Sequence, residues 1–145
     1  MKEIAIIGAG ISGLFLANLL RKNPNYYVTI YEKNSFIELD DGYGIQLSIN
    51  SIKLLNEIGF NTLKDEEKFN PEKIDFYEIK KEKKICDLNI ADFNSENCKY
   101  TTLKRSKLIK FLKDSLDGGL IKFGYNISKI ESVNDNICLT FNNNY

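Results

Sequence analysis

Ile4-Ala5-Ile6-Ile7-Gly8-Ala9-Gly10-Ile11-Ser12-Gly13-Leu14-Phe15-Leu16-Ala17 is the stretch that decides the fold. Residues 3–7, apolar after Glu3 and mostly β-branched, suit a parallel strand buried on both faces. The glycine-rich turn follows. Residues 11–22 then carry apolar side chains at Leu14, Leu16, Ala17, Leu19 and Leu20, a helical pattern that Asn23-Pro24-Asn25 stops. A second strand is expected over 27–32, built on Val28, Ile30 and Tyr31. Together these make one βαβ unit, whose crossover should be right-handed.

The spacing Gly8-x-Gly10-x-x-Gly13 gives each glycine a separate job. The first permits the tight turn, the second lets a pyrophosphate approach the backbone, and the third lets helix and strand pack closely. A helix starting near Ile11 points unpaired N–H groups and a positive dipole end at the phosphates, and Ser12 can add a hydroxyl. Glu32 closes the second strand, nineteen residues beyond Gly13, where an acidic side chain binds the adenosine ribose hydroxyls. A carboxylate there repels a 2′-phosphate, so the expected ligand is FAD or NAD rather than NADP. The competing reading is a glycine turn of an α/β protein with no ligand.

Further along, residues 34–47 read as loop with a short extended piece at 44–47. Residues 49–58 are helical, with Ile52, Leu54, Leu55 and Ile58 inward and Gly59 as C-cap. Charged sequence at 61–72 reads as loop with at most one helical turn. Residues 74–80 and 84–90 form a hairpin whose first strand alternates as if half-buried. A long helix is expected over 104–116, with Leu108, Phe111, Leu112 and Leu116 inward, ended by Asp117-Gly118-Gly119. A short strand at 120–123 follows. Residues 127–133 and 137–141 flank the turn Asn134-Asp135-Asn136 as a second hairpin. The fold class is therefore α/β: a Rossmann-like βαβ domain with a parallel sheet, plus a partial antiparallel β layer.

Composition narrows the function. The chain has 145 residues, enough for one domain with a core. Twenty basic residues balance twenty acidic ones, which leaves no electrostatic footprint for nucleic acid or an anionic membrane. No apolar run is long enough to span a bilayer, and the glycines that interrupt the first apolar stretch argue against a targeting segment, so the expected location is cytoplasmic. Histidine is absent, which excludes a Cys/His zinc site and a Cys–His nucleophile. The three cysteines, Cys86, Cys98 and Cys138, contain no CxxC pair and read as reduced structural thiols. Chemistry must come from a cofactor, from carboxylates or from residues outside this sequence, and no catalytic side chain and no metal ligand is assigned.

Three further stretches carry a family resemblance. Ile30-Tyr31-Glu32-Lys33 ends the second strand in an acid followed by a base. Gly42-Tyr43-Gly44-Ile45-Gln46-Leu47-Ser48-Ile49-Asn50, followed by Leu54-Leu55-Asn56-Glu57-Ile58-Gly59, is similar to a G-x-G-I-x-L-x-x-N stretch with its LxxLG helix. Arg105-Ser106-Lys107-Leu108 with Leu112 is similar to R-x-x-L-x-x-x-L. In order and spacing these resemble the single-component FAD monooxygenases that hydroxylate aromatic rings, the para-hydroxybenzoate, salicylate and polyprenyl-phenol hydroxylases. The resemblance covers nearly the whole chain. It implies that Gly8, Gly10, Ser12 and Gly13 wrap the FAD pyrophosphate, and that Glu32 holds the ribose with Lys33 beside the adenine or its ribose. It further implies that Gly44, Ile45 and Gln46 run close to the flavin ring, and that Arg105 reaches the ribityl or phosphate region. NAD(P)H would be the electron donor and a small aromatic, phenolic molecule the substrate. Oligomeric state is left open.

There are departures. Ile49 stands where the family has a proline. An Asp-Gly pair linked to FAD and NADPH and a Gly-Asp pair at the ribityl chain are missing; Asp41-Gly42 and Asp117-Gly118 lack that context. Residues 74–90 would begin a substrate-side sheet whose remainder is absent, so the expectation is the FAD-binding N-terminal portion, 1–145, of a longer protein, incomplete and inactive alone. Two alternatives stay open: another FAD oxidoreductase of the same architecture, of the prenyl reductase or halogenase type, and a non-catalytic nucleotide-binding fragment.

Overall fold

The structure, a computed structural model, describes residues 1–39, 43–116 and 118–142. They fall into two compact units, one of residues 1–41 with 108–145 and the other of residues 42–107.

The first unit holds the βαβ motif. Strand β1 (Lys2–Ile7), helix α1 (Ile11–Leu20) and strand β2 (Tyr26–Glu32) follow in order. β1 pairs with β2 in parallel, Lys2 opposite Tyr26 through Ile7 opposite Tyr31. Strand β7 (Ile121–Phe123) joins the other edge of β2, also in parallel, giving the order β1-β2-β7. Val28 and Ile30 on the central strand are fully covered, as the apolar run predicts. β1 is different. Ile6 is buried and Ile4 half-buried, but Glu3, Ala5 and Ile7 on the alternate face are exposed, so β1 is covered on one face among the described residues and not on both as expected. Leu14 and Ala17 of α1 pack into the core with Leu108, Ile109 and Leu112 of helix α3 (Arg105–Asp114). Ile109 thus takes the fully buried place expected for Phe111, which is half-buried. Strands β8 (Asn126–Val133) and β9 (Asn136–Asn142) form the second expected hairpin. Asn134 and Asp135 both adopt positive φ, 47° and 62°, the conformation of a tight two-residue hairpin turn. Tyr125 meets Tyr31 and Phe141 edge-on and Tyr31 lies tilted on Phe141, with ring centroids 4.8–5.5 Å apart.

The second unit is assembled from two-stranded pieces. Strand β3 (Gly44–Leu47) falls where expected. Its partner, β6 (Thr101–Lys104), was not foreseen: Thr101-Thr102-Leu103 falls in no expected element, and Lys104 in the expected helix that follows. Helix α2 (Ile49–Asn56) ends two residues short of the expected stop, and Gly59 at φ +89° supplies the left-handed residue beyond it. Ile52 and Leu55 face inward as expected, whereas Leu54 is 48% exposed. β4 (Lys73–Glu78) and β5 (Lys83–Asn89) make the first hairpin, with a register shift after Phe76. The half-burial expected of the first strand holds at Ile74 and fails at Phe76 and Ile79. Phe76 and Leu88, on the side that Ile74 shares, are 48% and 46% exposed, since nothing among the described residues covers that side, and Tyr77, Ile79 and Ile85 are exposed as well. The opposite side carries ion pairs: Lys73 reaches Asp87 at 2.8 Å and Lys84 reaches Asp75 at 2.8 Å. Hydrogen bonds from Lys73 and then Lys84 hold the Asp87 carboxyl down at about 2, and those from Lys84 hold Asp75 below the usual carboxylate range.

Candidate dinucleotide site

Gly8 leaves β1 at φ +96°, a conformation that L side chains rarely adopt, so the turn needs glycine here. At Gly13 the requirement is contact rather than torsion. A Cβ there would stand 2.0 Å from the Gly8 carbonyl oxygen, which is how closely α1 crosses the end of β1. Gly10 is held by neither constraint. Its φ is −76° and a Cβ would meet nothing within 4 Å. Two of the three glycines are thus required by the polypeptide itself, and the middle one leaves its backbone open on the outside.

Gly10 is the N-cap of α1 and supplies no side-chain cap. The first helical hydrogen bond is from Leu14 N–H to the Gly10 carbonyl at 2.9 Å. The amides of Ile11, Ser12 and Gly13 precede that bond and face outward at the helix's positive end. Ser12 and Gly10 are exposed.

Glu32 turns back toward this junction. Its Oε2 accepts a hydrogen bond from the Ala9 N–H at 2.8 Å, and Oε1 accepts one from the Asn34 N–H at 2.9 Å. Ala9, between Gly8 and Gly10, is 2% exposed. The acid is thus clamped to the glycine turn, in the crevice between the carboxyl ends of the two parallel strands. Each of its oxygens keeps further acceptor capacity. Tyr125 N–H donates to the Glu32 carbonyl at 2.9 Å and Gly124 N–H to that of Asn34 at 3.0 Å, which pins the end of β2. Lys33 is exposed beside the site.

Asn18 is a residue that sequence reading missed. It is 1% exposed, and its Nδ2 donates to the carbonyls of Leu14 at 2.9 Å and Leu112 at 2.8 Å. Leu112 lies in the last turn of α3, where carbonyls lack helical partners, since Leu116 N–H turns instead to Lys113. Asn18 caps that helix and ties it to α1. A polar residue inside an otherwise apolar helical stripe was the available signal.

In the second unit, the other expected contacts sit on the β3–β6 ribbon. Gly44 and Gln46 share its exposed side; Ile45 points to the covered side with Leu47, Leu103 and Thr101. A Cβ on Gly44 would meet nothing within 4 Å. Tyr100 donates its hydroxyl to Gln46 Oε1 at 2.8 Å. Arg105 opens α3; its N–H donates to the Tyr43 carbonyl at 3.0 Å and its guanidinium lies 5.7 Å from the Tyr43 ring centroid. The structure therefore gathers Gly8, Gly10, Ser12, Gly13, Glu32 and Lys33 in one unit, and Gly44, Gln46 and Arg105 in the other. Gly42, Asp41 and Asp117 lie outside the described residues.

Among the described residues, no group of His, Cys, Asp or Glu could hold a metal ion, and no helix is long and apolar enough to cross a membrane. The three cysteines are free.

The family model of an NAD(P)-binding Rossmann-like domain matches residues 6–37, the strand, glycine turn, helix and acid just described. No curated protein matches the chain in sequence. Solved structures do match in fold. The 2,6-dihydroxypyridine-3-hydroxylase of Arthrobacter nicotinovorans superposes with a TM-score of 0.75 at 15% identity, over 96% of this chain and 33% of its own. HpxO of Klebsiella pneumoniae, solved with FAD and uric acid, gives 0.77 at 19% identity, over 96% of this chain and 35% of its own. CtdE, solved with FAD and a substrate, gives 0.79 at 17% identity, over 99% and 35%. The chain spans about a third of the length of these proteins. Its fold is a Rossmann-like α/β layer with attached antiparallel strands, shared with about one third of each of these enzymes.

Proposed function

We propose that this chain is the FAD-binding portion of a flavoprotein monooxygenase that hydroxylates a small aromatic molecule. The observation that carries the reading is the Glu32 carboxylate bonded to the Ala9 amide, within a turn whose middle glycine no feature of the chain requires. An ADP moiety satisfies both. Its pyrophosphate lies against Gly10 and accepts from the amides of Ile11, Ser12 and Gly13; its ribose hydroxyls donate to Glu32. Lys33 flanks the adenosine end.

The second half of the cofactor reading is FAD rather than NAD. Gly44, Ile45 and Gln46 are assigned to the flavin ring and Arg105 to the ribityl or phosphate region. The exposed side of the β3–β6 ribbon, bare at Gly44, supports this, as does a cation at the first residue of α3, where the helix dipole disfavours it and an anionic ligand would offset the cost. Three fold relatives whose reactions or ligands include hydroxylation or FAD support it further. Bound FAD would supply the redox and oxygen chemistry, with NAD(P)H as donor; the residues of this chain bind and orient it. The free cysteines suit a reducing, cytoplasmic setting.

Purified protein should take up FAD, visible as yellow colour that survives gel filtration. Glu32→Ala should weaken uptake by about 1–3 kcal/mol, because the ribose hydroxyls lose a charged acceptor. Full-strength FAD binding by that variant would remove Glu32 from the site. Binding of NAD with no uptake of FAD would favour a plain dinucleotide module instead.

A further inference from the structure

Gln46 stands on the open side of the β3–β6 ribbon, opposite Thr102, with Gly44 as its neighbour on that side. A free glutamine there would be among the side chains with most rotamer freedom to lose on binding a ligand. It is not free. Tyr100 donates its hydroxyl to Gln46 Oε1 at 2.8 Å.

Tyr100 is itself fixed from both ends of its backbone. Its N–H donates to Asn94 Oδ1 at 2.8 Å, and its carbonyl accepts from Asn70 Nδ2 at 2.9 Å. The same Asn70 amide donates to Thr101 Oγ1 at 2.9 Å. Next to it, Phe69 and Thr102 exchange both backbone hydrogen bonds, at 2.8 and 2.7 Å. Two asparagine side chains and a bridge thus hold a phenol whose outer end meets one amide oxygen.

We propose that Tyr100 is a positioning residue for the flavin: by occupying the Gln46 carboxamide oxygen, it keeps the amide N–H groups turned outward as donors to the ring. The inference rests on the reading above that Gln46 faces the flavin. Gly44 leaves room for a planar group beside that amide. A donor held in place before the ligand arrives loses less entropy on binding. Its hydrogen bond is stronger to the reduced ring, which carries more negative charge on its acceptor atoms. Tyr100 therefore biases the bound cofactor toward its reduced form.

The test uses the full chain loaded with FAD. Tyr100→Phe keeps the ring and removes only the hydroxyl, and Gln46→Leu removes the amide. FAD should still bind Tyr100→Phe, but its preference for reduced over oxidised flavin should fall about tenfold, which is about 30 mV for a two-electron couple. Gln46→Leu should give a similar fall, and the double variant little more, since the two act as one unit. In the wild-type protein without FAD, the Gln46 side-chain amide should show restricted motion by NMR relaxation that Tyr100→Phe releases. An unchanged potential in Tyr100→Phe alongside a shifted one in Gln46→Leu overturns the role of Tyr100 and leaves the flavin reading standing. If Gln46→Leu also leaves the potential unmoved, or wild-type protein takes up no FAD, the reading itself fails and this inference with it.

Discussion

The glycine turn and the β4–β5 hairpin are each made from a single short segment of chain, yet they are specified in opposite ways. In the turn, the backbone dictates residue type. Gly8 is required by φ +96°, Gly13 by a Cβ that would sit 2.0 Å from a carbonyl oxygen, and Glu32 accepts the Ala9 amide. In the hairpin, the alternation of Ile74, Phe76 and Ile79 announces a covered face, and the structure leaves Phe76 48% and Ile79 92% exposed. Local geometry suffices for the first. The second needs a covering layer that its own sequence does not supply, and a two-stranded hairpin alone is marginal in water.

That contrast can be broken most severely at Gly13. Gly13→Val should cost roughly 3 kcal/mol or more, because the backbone of β1 cannot move aside as a flexible side chain could. Urea unfolding measures it, and a loss under about 1 kcal/mol would mean that α1 does not cross β1 so closely. A smaller loss is expected at the cap that joins α1 to α3. Asn18→Ala leaves the buried Leu112 carbonyl without its donor and should cost about 1–3 kcal/mol in the same measurement. Unchanged stability there would show that the carbonyl finds water.

The hairpin should respond least, and through pH. The Asp87 carboxyl sits at about 2 because Lys73 and Lys84 hydrogen-bond it. A carboxyl depressed from about 3.9 in the unfolded chain stabilises the folded state above that value. The contribution is lost as pH falls from about 4 through 2. Hairpin amide shifts should therefore hold above pH 4 and drift only below it, and salt should weaken the effect because the cluster is exposed. Loosening near pH 6 would assign the hairpin's cohesion to other groups.

How far the sequence could be read follows the same division. The strand, turn, helix and acid of the βαβ unit were legible because Gly8, Gly13 and Glu32 each answer a backbone requirement within about thirty positions. β3 was legible at its observed bounds. β6 was not, since its four residues adjoin a stronger helical pattern. The partners of Asn18, Tyr100, Asn70 and Asn94 were not legible either. They lie between 4 and 94 positions away, and a polar residue gives no sign in sequence of which carbonyl or amide it will meet. The exposure of Leu54, Phe76 and Ile79 escaped for a related reason: periodicity shows which face is apolar, not whether anything packs on it.

The proposed cofactor is tested most directly at its adenosine diphosphate end. The direct measurement is an NMR titration of isotope-labelled protein with ADP, set beside the same molecule carrying a 2′-phosphate. The expected result is large shifts in the amides of Ala9, Gly10, Ile11, Ser12 and Gly13, with ADP the tighter ligand by tenfold or more, since a charge repelled by Glu32 costs about 1.4 kcal/mol or above. Shifts confined to other residues, or equal affinity for the two compounds, would contradict it.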